Sequence, residues 1–565
     1  MHARTGPRAA LPDAESAIWP SVAIALLLIA QAVMVHTRAI NWDEFFYYGE
    51  VVRFAGGDLN RALQNIHVRL FVWLPAMFDH EIDAIIAART VMLACECAAL
   101  VAIYAVSRRF TDRSGALLAA LAYLSAGYVL QHGFSFRTDP AATAALTGSL
   151  AMLAWMPPGG PRYWIMAIGG AASAALAAMF TIKAIFYAPP FAAIAYMRWR
   201  EADRPWPALM RVAMFGAMTV ALFAMFYALH ASGVTDAATD RSGGIGKANA
   251  ASGHLLGDAA ERMFFLGMPN NLGMILKGAL MALTLTAMTI ATPFALLRGR
   301  HFSGPQRIAL AGLWLPVVTL AFYENTASYY FVFILAPVSI ACIAVMAPLR
   351  AKCPTLLIAA ALAAPSLATL ATERSDVLAN QRALIDAVHR IFPEPVAYFD
   401  HPGMIAAFPK RNGFMTPWGM KGYAAQGVPS YVRAMEAEPV PLLLTNWWLF
   451  AELDDPENDI FVPEDTFALR ENYVQVTGAI FVAGRDIAAS DEPRSSRFLV
   501  PGPYTVIGGP VTVDGRILPP GSIIDISRGN HTIAPAGKSD ARLIWGRNPD
   551  LPAKNSLNGA IWTRL

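Results

Sequence analysis

The sequence predicts a polytopic α-helical membrane protein of about eleven transmembrane helices, followed by a C-terminal α/β plus β-sandwich region. Three observations carry this. Of the 565 residues, 56% are hydrophobic and only 15% charged, which excludes an ordinary soluble globular protein of this size. Apolar stretches of roughly 17–25 residues, long enough to cross a bilayer, recur over the first two thirds of the chain. From about residue 373 they give way to short helices and strands, and from about 497 to short alternating runs with Gly and Pro punctuation. The formal net charge of +3 is too small to argue for a nucleic-acid partner.

The apolar stretches lie at roughly 17–36, 83–107, 115–131, 139–156, 163–181, 184–198, 211–231, 271–297, 308–323, 329–347 and 355–372. No small-residue cleavage site follows the first, so it reads as a span rather than a signal peptide. Placing the N-terminus in the cytoplasm gathers Arg108, Arg109, Arg113, Arg162, Arg198, Arg200, Arg204, Arg211, Arg298 and Arg350 on the inner side. The positive-inside rule favours that orientation. An odd number of spans then places everything after about residue 373 outside.

Between the first two spans, residues 45–54 form an amphipathic run suited to a helix lying in the interface. A second outer loop, about 232–270, is rich in Gly, Ser and Asp and reads as a mobile lid. In the tail, residues 377–392 and 430–437 read as helices, and 396–399 and 441–444 as short strands. The expected domains are a transmembrane part, 1–372, an α/β domain, 373–495, and a β-sandwich-like domain, 496–565. Cys95, Cys97, Cys342 and Cys353 all precede the tail, so it folds without disulfides.

The residues that carry chemistry sit at outer junctions. Asp43 and Glu44 lie side by side in residues 40–48, INWDEFFYY. A carboxylate at a membrane surface is costly unless water, a cation or a substrate meets it. The plainer reading makes them an N-cap and first-turn acid of the interfacial helix. In residues 134–140, FSFRTDP, Asp139 before Pro140 suits a helix start, whereas the planar donors of Arg137 fit a phosphate or a carboxylate such as Asp43. Lys183, in residues 181–186, TIKAIF, either snorkels to water or supplies a charge for a lipid phosphate.

Arg89 and Glu96 are seven apart on one face of the second span and read as an intramembrane ion pair. In residues 323–330, YENTASYY, Glu324, Asn325 and Tyr329 are candidates for binding a sugar or lipid phosphate, against ordinary interfacial aromatic enrichment. His67 and Arg69, which open the segment returning to the membrane, are further candidates for binding substrate, without the paired spacing that zinc needs. No P-loop, dinucleotide fingerprint, GxSxG elbow or HExxH motif is present.

Together, Trp42, Asp43 and Glu44, the Arg89 span, the junction at 136–140, the turn at 181–183 and the Tyr329–Tyr330 hairpin resemble the polytopic GT-C glycosyltransferases. In pattern they are nearest to the protein O-mannosyltransferases and the lipid A aminoarabinose transferases. The resemblance spans about residues 17–350. It implies inverting transfer of a hexosyl or pentosyl group from a polyprenyl-phosphate sugar, at the periplasmic face, to a lipid, polysaccharide or protein acceptor. It assigns Asp43 as base and Arg137 and Lys183, with Arg89, to the donor phosphate. Glu44 and Asp139 would shape the acceptor site or hold a divalent cation. Membrane lipids are expected neighbours. A lipid-linked sugar transporter or flippase and a non-catalytic assembly subunit are the alternatives, disfavoured by the one-sided placement of the ionisable groups and the lack of repeats. The last section of the tail, 511–533, resembles small β-sandwich modules of surface proteins.

Overall fold

In the computed structural model, residues 13–59, 62, 64–234, 271–299, 301–413, 415–454 and 460–563 are described. Of the lid expected at about 232–270, residues 235–270 lie outside them. Among the described residues, the helices Ala17–Thr37, Glu81–Ser107, Pro161–Phe180 and Pro205–Ala231 are each long and apolar enough to cross a membrane. Three helix pairs qualify only together and are bent at a break. Leu272–Met281 meets Leu283–Arg298 at 102°, Tyr330–Ala341 meets Ile343–Arg350 at 45°, and Thr355–Ala371 meets Asp376–Ile391 at 43°. Length and composition thus support up to seven spans, against about eleven expected. The remaining stretches fall on shorter helices, Arg113–Leu124, Thr138–Trp155, Ala188–Arg200 and Gly304–Trp314. The first of these is buried along nearly its whole length. Protein rather than lipid surrounds it, so bilayer thickness does not set its length.

The amphipathic run after the first span is the helix Trp42–Ala55, with Glu44, Phe45, Tyr48 and Val51 on its buried face. A capping box starts it: the Asn41 side chain accepts a backbone N–H of the first turn while Glu44 accepts the Asn41 N–H at 2.9 Å. Gly57, at φ 79°, lets the chain turn away after the helix ends.

The tail begins with the amphipathic helix Asp376–Ile391, whose Leu384, Ile385 and Val388 are buried. Its strands are β1 (Tyr398–Phe399), β2 (Leu442–Leu444), β3 (Tyr473–Thr477), β4 (Ile480–Ile487), β5 (Arg494–Phe498), β6 (Gly502–Gly508), β7 (Val511–Val513), β8 (Arg516–Leu518), β9 (Ile523–Ile526), β10 (Gly529–Pro535) and β11 (Ala541–Trp545). Seven of them form one sheet ordered β1-β2-β4-β11-β6-β9, with β3 also on β4, and four form a second, β5-β10-β7-β8. The alternating run at 511–518 is the β7–β8 hairpin. Its Asp514-Gly515 turn has φ 48° and 81°, the two positive values a type I′ turn requires. Phe498, Val506, Val513, Ile533 and Leu543 fill the space between the sheets. Because β4 pairs with β11 from Ala541↔Ile487 to Ile544↔Gly484, one sheet runs across the boundary expected at residue 495.

The tail docks onto the segment that precedes the interfacial helix. Buried Gln381 accepts the Ile40 N–H at 2.9 Å and donates to the Ile40 carbonyl at 2.7 Å, as a neighbouring strand would. Glu373 holds Arg38 and Gln131, and Trp42 packs edge-on to Trp447 at 4.8 Å between ring centres. Gln381→Leu leaves both backbone groups of Ile40 buried and unpaired, at a cost of about 1–3 kcal/mol. The expected outcome is earlier thermal unfolding and faster limited proteolysis between residues 372 and 400 of the purified protein.

Candidate active site

Four helical elements begin at the tail end of the helical part and bring their first residues together. Asp43 is in the first turn of Trp42–Ala55. Arg137 is the N-cap of Thr138–Trp155, with Asp139 and Pro140 in its first turn. Lys183 is in the first turn of the 3-10 helix Ile182–Tyr187, where Thr181 caps its backbone N–H. Tyr329 is the N-cap of Tyr330–Ala341. Helix starts carry unsatisfied N–H groups and partial positive charge, so their meeting point favours an anion.

The side chains form a chain of alternating sign. Asp43 contacts Arg137, Arg137 Nε lies 3.4 Å from Asp139, and Asp139 contacts Lys183. Arg137 also lies over the Tyr329 ring at 3.3 Å from its centre, and Lys183 is 5.6 Å from it. Asp139, Arg137 and Lys183 are buried, while Asp43 is partly open. Beside this chain is a cavity of about 180 Å³ lined by Tyr47, Gln64, Arg137, Thr138, Thr181, Lys183, Tyr323, Asn325 and Tyr329. Tyr329 donates its hydroxyl hydrogen to Asn325 at 2.9 Å. Burial pushes the Tyr47 phenol up to about 12, so it stays a neutral donor.

Several expected site residues are elsewhere. Glu44 faces the interior, where Arg89 grips both its oxygens at 2.6 and 2.7 Å. The Phe136 N–H donates to it as well, at 2.8 Å. The other donors of Arg89 go to the carbonyls of Val35, Arg38 and Ala39, so the guanidinium ties the end of the first helix to the start of the next. All five of its N–H groups are thereby used, and a donor phosphate finds none. Glu44 and Asp139 therefore do not converge on a cation. Burial alone would raise the Glu44 carboxyl, yet Arg89 and the backbone N–H groups hold it below its ordinary value. The expected Arg89–Glu96 pair does not form. Glu96 instead abuts Gly133, where an added Cβ would overlap its carboxylate.

Arg69 caps the far end of Pro205–Ala231, donating to the carbonyls of Leu229 and His230 and to His230 Nδ1. His67 is buried edge-on to Tyr47, with Nε2 3.7 Å from Glu50. Glu324 does not line the cavity, although Asn325 and Tyr329 do. Tyr47, Gln64 and Tyr323 are lining residues that sequence reasoning did not single out. Tyr47 was detectable, since it follows Asp43 by four residues and shares its helix face. Gln64, at φ 65° in an irregular segment, carried no such signal.

No family model matches the chain, and no curated protein matches it. Among solved structures it is similar to ArnT of Cupriavidus metallidurans bound to undecaprenyl phosphate. That likeness has a TM-score of 0.55 at 13% identity and covers 82% of this chain and 98% of that one. It is also similar to the apo oligosaccharyltransferase of Archaeoglobus fulgidus, with a TM-score of 0.53 at 10% identity over 95% and 98% of the two chains.

Proposed function

The chain has the fold of the GT-C superfamily glycosyltransferases, and from that premise we propose that it is an inverting glycosyltransferase. It moves a sugar from a polyprenyl-phosphate donor to a lipid, polysaccharide or protein acceptor at the periplasmic face of the inner membrane. The observation that carries the reading is the Asp43–Arg137–Asp139–Lys183 chain beside a cavity at the meeting point of four helix starts.

In the proposed reaction the acceptor hydroxyl attacks the anomeric carbon from the face opposite the phosphate. The new C–O bond forms as the bond from carbon to phosphate oxygen breaks. Asp43 takes the hydroxyl proton, and the departing lipid phosphate receives the positive charge of Arg137 and Lys183. Without donor, each cation is held by a carboxylate. An arriving phosphate competes with Asp43 for Arg137, which leaves the carboxylate oxygens free to meet the acceptor hydroxyl. Tyr47 supplies a neutral donor for the sugar, and Tyr329 holds Asn325 in the cavity wall. Asp139 holds the two cations a fixed distance apart.

Arg137→Ala and Lys183→Ala are each expected to weaken binding of undecaprenyl phosphate by about ten- to hundredfold, the worth of one charge-assisted contact. Titrating the purified protein with the lipid phosphate tests this, and unchanged affinity in both variants removes them from the donor site. Transfer from a defined lipid-linked sugar in the same preparation separates this reading from a flippase, which would move the donor without consuming it.

A further inference from the structure

A second cavity, of about 520 Å³, lies at the opposite end of the same helices. The helix Thr138–Trp155 runs from Arg137 and Asp139 at one end to Met156 at the other, so the two cavities are about 25 Å apart. Arg198, Arg204 and Arg211 line this second cavity together with Glu201 and Asp203. Arg109 and Arg198 both contact Glu201, so that carboxylate is already paired, and three guanidinium groups line the cavity against two carboxylates. Two of the cations are held in place by the loop after the helix. Arg198 donates to the Met156 carbonyl at 2.6 Å and Arg211 to the Pro158 carbonyl at 2.9 Å. Arg204 makes no side-chain hydrogen bond or ion pair among the described residues. The remaining wall, including Met156, Pro157, Pro207 and Val212, is apolar.

The surroundings fix the depth of this cavity in the membrane. Trp155 and Trp206, each next in the chain to the lining residues Met156 and Pro207, are exposed, as aromatic residues at a lipid–water boundary are. The apolar window of Pro205–Ala231, the helix that carries Arg211, is only 6% buried by the described residues, an apolar surface suited to lipid. A ligand seated here meets guanidinium groups on one side and an apolar, lipid-facing wall on the other. We infer that this cavity binds the phosphate headgroup of an anionic membrane phospholipid. The guanidinium forks suit phosphate oxygens, and the apolar wall accepts the glycerol and first methylenes. Zwitterionic lipids carry a compensating cation that the surplus of arginines repels.

Native mass spectrometry of the full chain, titrated with phosphatidylglycerol or phosphatidylcholine, tests the assignment. The wild type is expected to prefer phosphatidylglycerol, and each arginine removed is expected to lower that affinity about fivefold, hence about 25-fold for R204Q/R211Q. R204Q alone serves if the Arg211 change disturbs folding, because Arg204 holds no other part of the chain. R162Q, at the same end but outside the cavity, is expected to bind as the wild type does. Equal binding of the two lipids by the wild type, or an R204Q variant with unaltered phosphatidylglycerol affinity, overturns the proposal. Inorganic phosphate binding as tightly as phosphatidylglycerol also overturns it, and identifies a soluble anion site. None of these readouts depends on sugar transfer.

Discussion

Asp43→Asn is expected to lower sugar transfer by about 10³-fold, within the range that a positioned general base contributes. The amide keeps the shape of the carboxylate and can still accept from Arg137, so the loop and the cavity should persist. What it loses is the ability to take a proton. Donor affinity should hold or rise, because Arg137 is freed from a competing anion. The test is turnover of purified protein at saturating donor and acceptor, with the affinity for undecaprenyl phosphate measured alongside. A variant that turns over at the wild-type rate leaves Asp43 without a role in proton transfer. A variant that fails to bind the lipid phosphate shows instead that Asp43 organises the site.

Removing Arg89 is the largest structural perturbation foreseen. Arg89→Leu strands the buried Glu44 carboxylate and three backbone carbonyls at the first helix end. Breaking a buried pair in this way costs about 3–5 kcal/mol. Glu44→Ala should cost a similar amount, since it strands Arg89 and the N–H groups of Asn41 and Phe136. Combining the two changes should cost less than the sum of the singles, because each already removes the shared interaction. Thermal unfolding of the three variants in detergent measures this. Full stability of Glu44→Gln combined with lost transfer would make Glu44 a chemical group rather than a structural tie.

These two predictions separate residues that are adjacent in the chain, and the reason lies in helix geometry. At 3.6 residues per turn, successive side chains point about 100° apart. Asp43 and Glu44 therefore cannot share one face once residues 42–55 are helical: Asp43 meets Arg137 and Glu44 meets Arg89. Read as a sequence, two neighbouring acids look like a catalytic pair. The capping alternative was equally available, and Glu44 takes it. The same limit explains Arg89. Its spacing from Glu96 puts both on one helix face, but spacing along one helix says nothing about a partner supplied by another. In the tail, the Asp514-Gly515 hairpin was legible because turn chemistry is local, whereas the pairing of β4 with β11 joins residues more than fifty positions apart.

The chain's own order of residues determined where apolar segments run, where helices start, and that ionisable groups gather at those starts. It also supplied the cations and acids of the site, because short motifs such as FSFRTDP place them at helix ends whatever the surroundings. Only the tertiary structure decided which acid meets which base, since that depends on the rotation and offset of helices far apart in sequence. A turn of one helix by a single residue would exchange Asp43 for Glu44 at Arg137, and no local pattern records that choice.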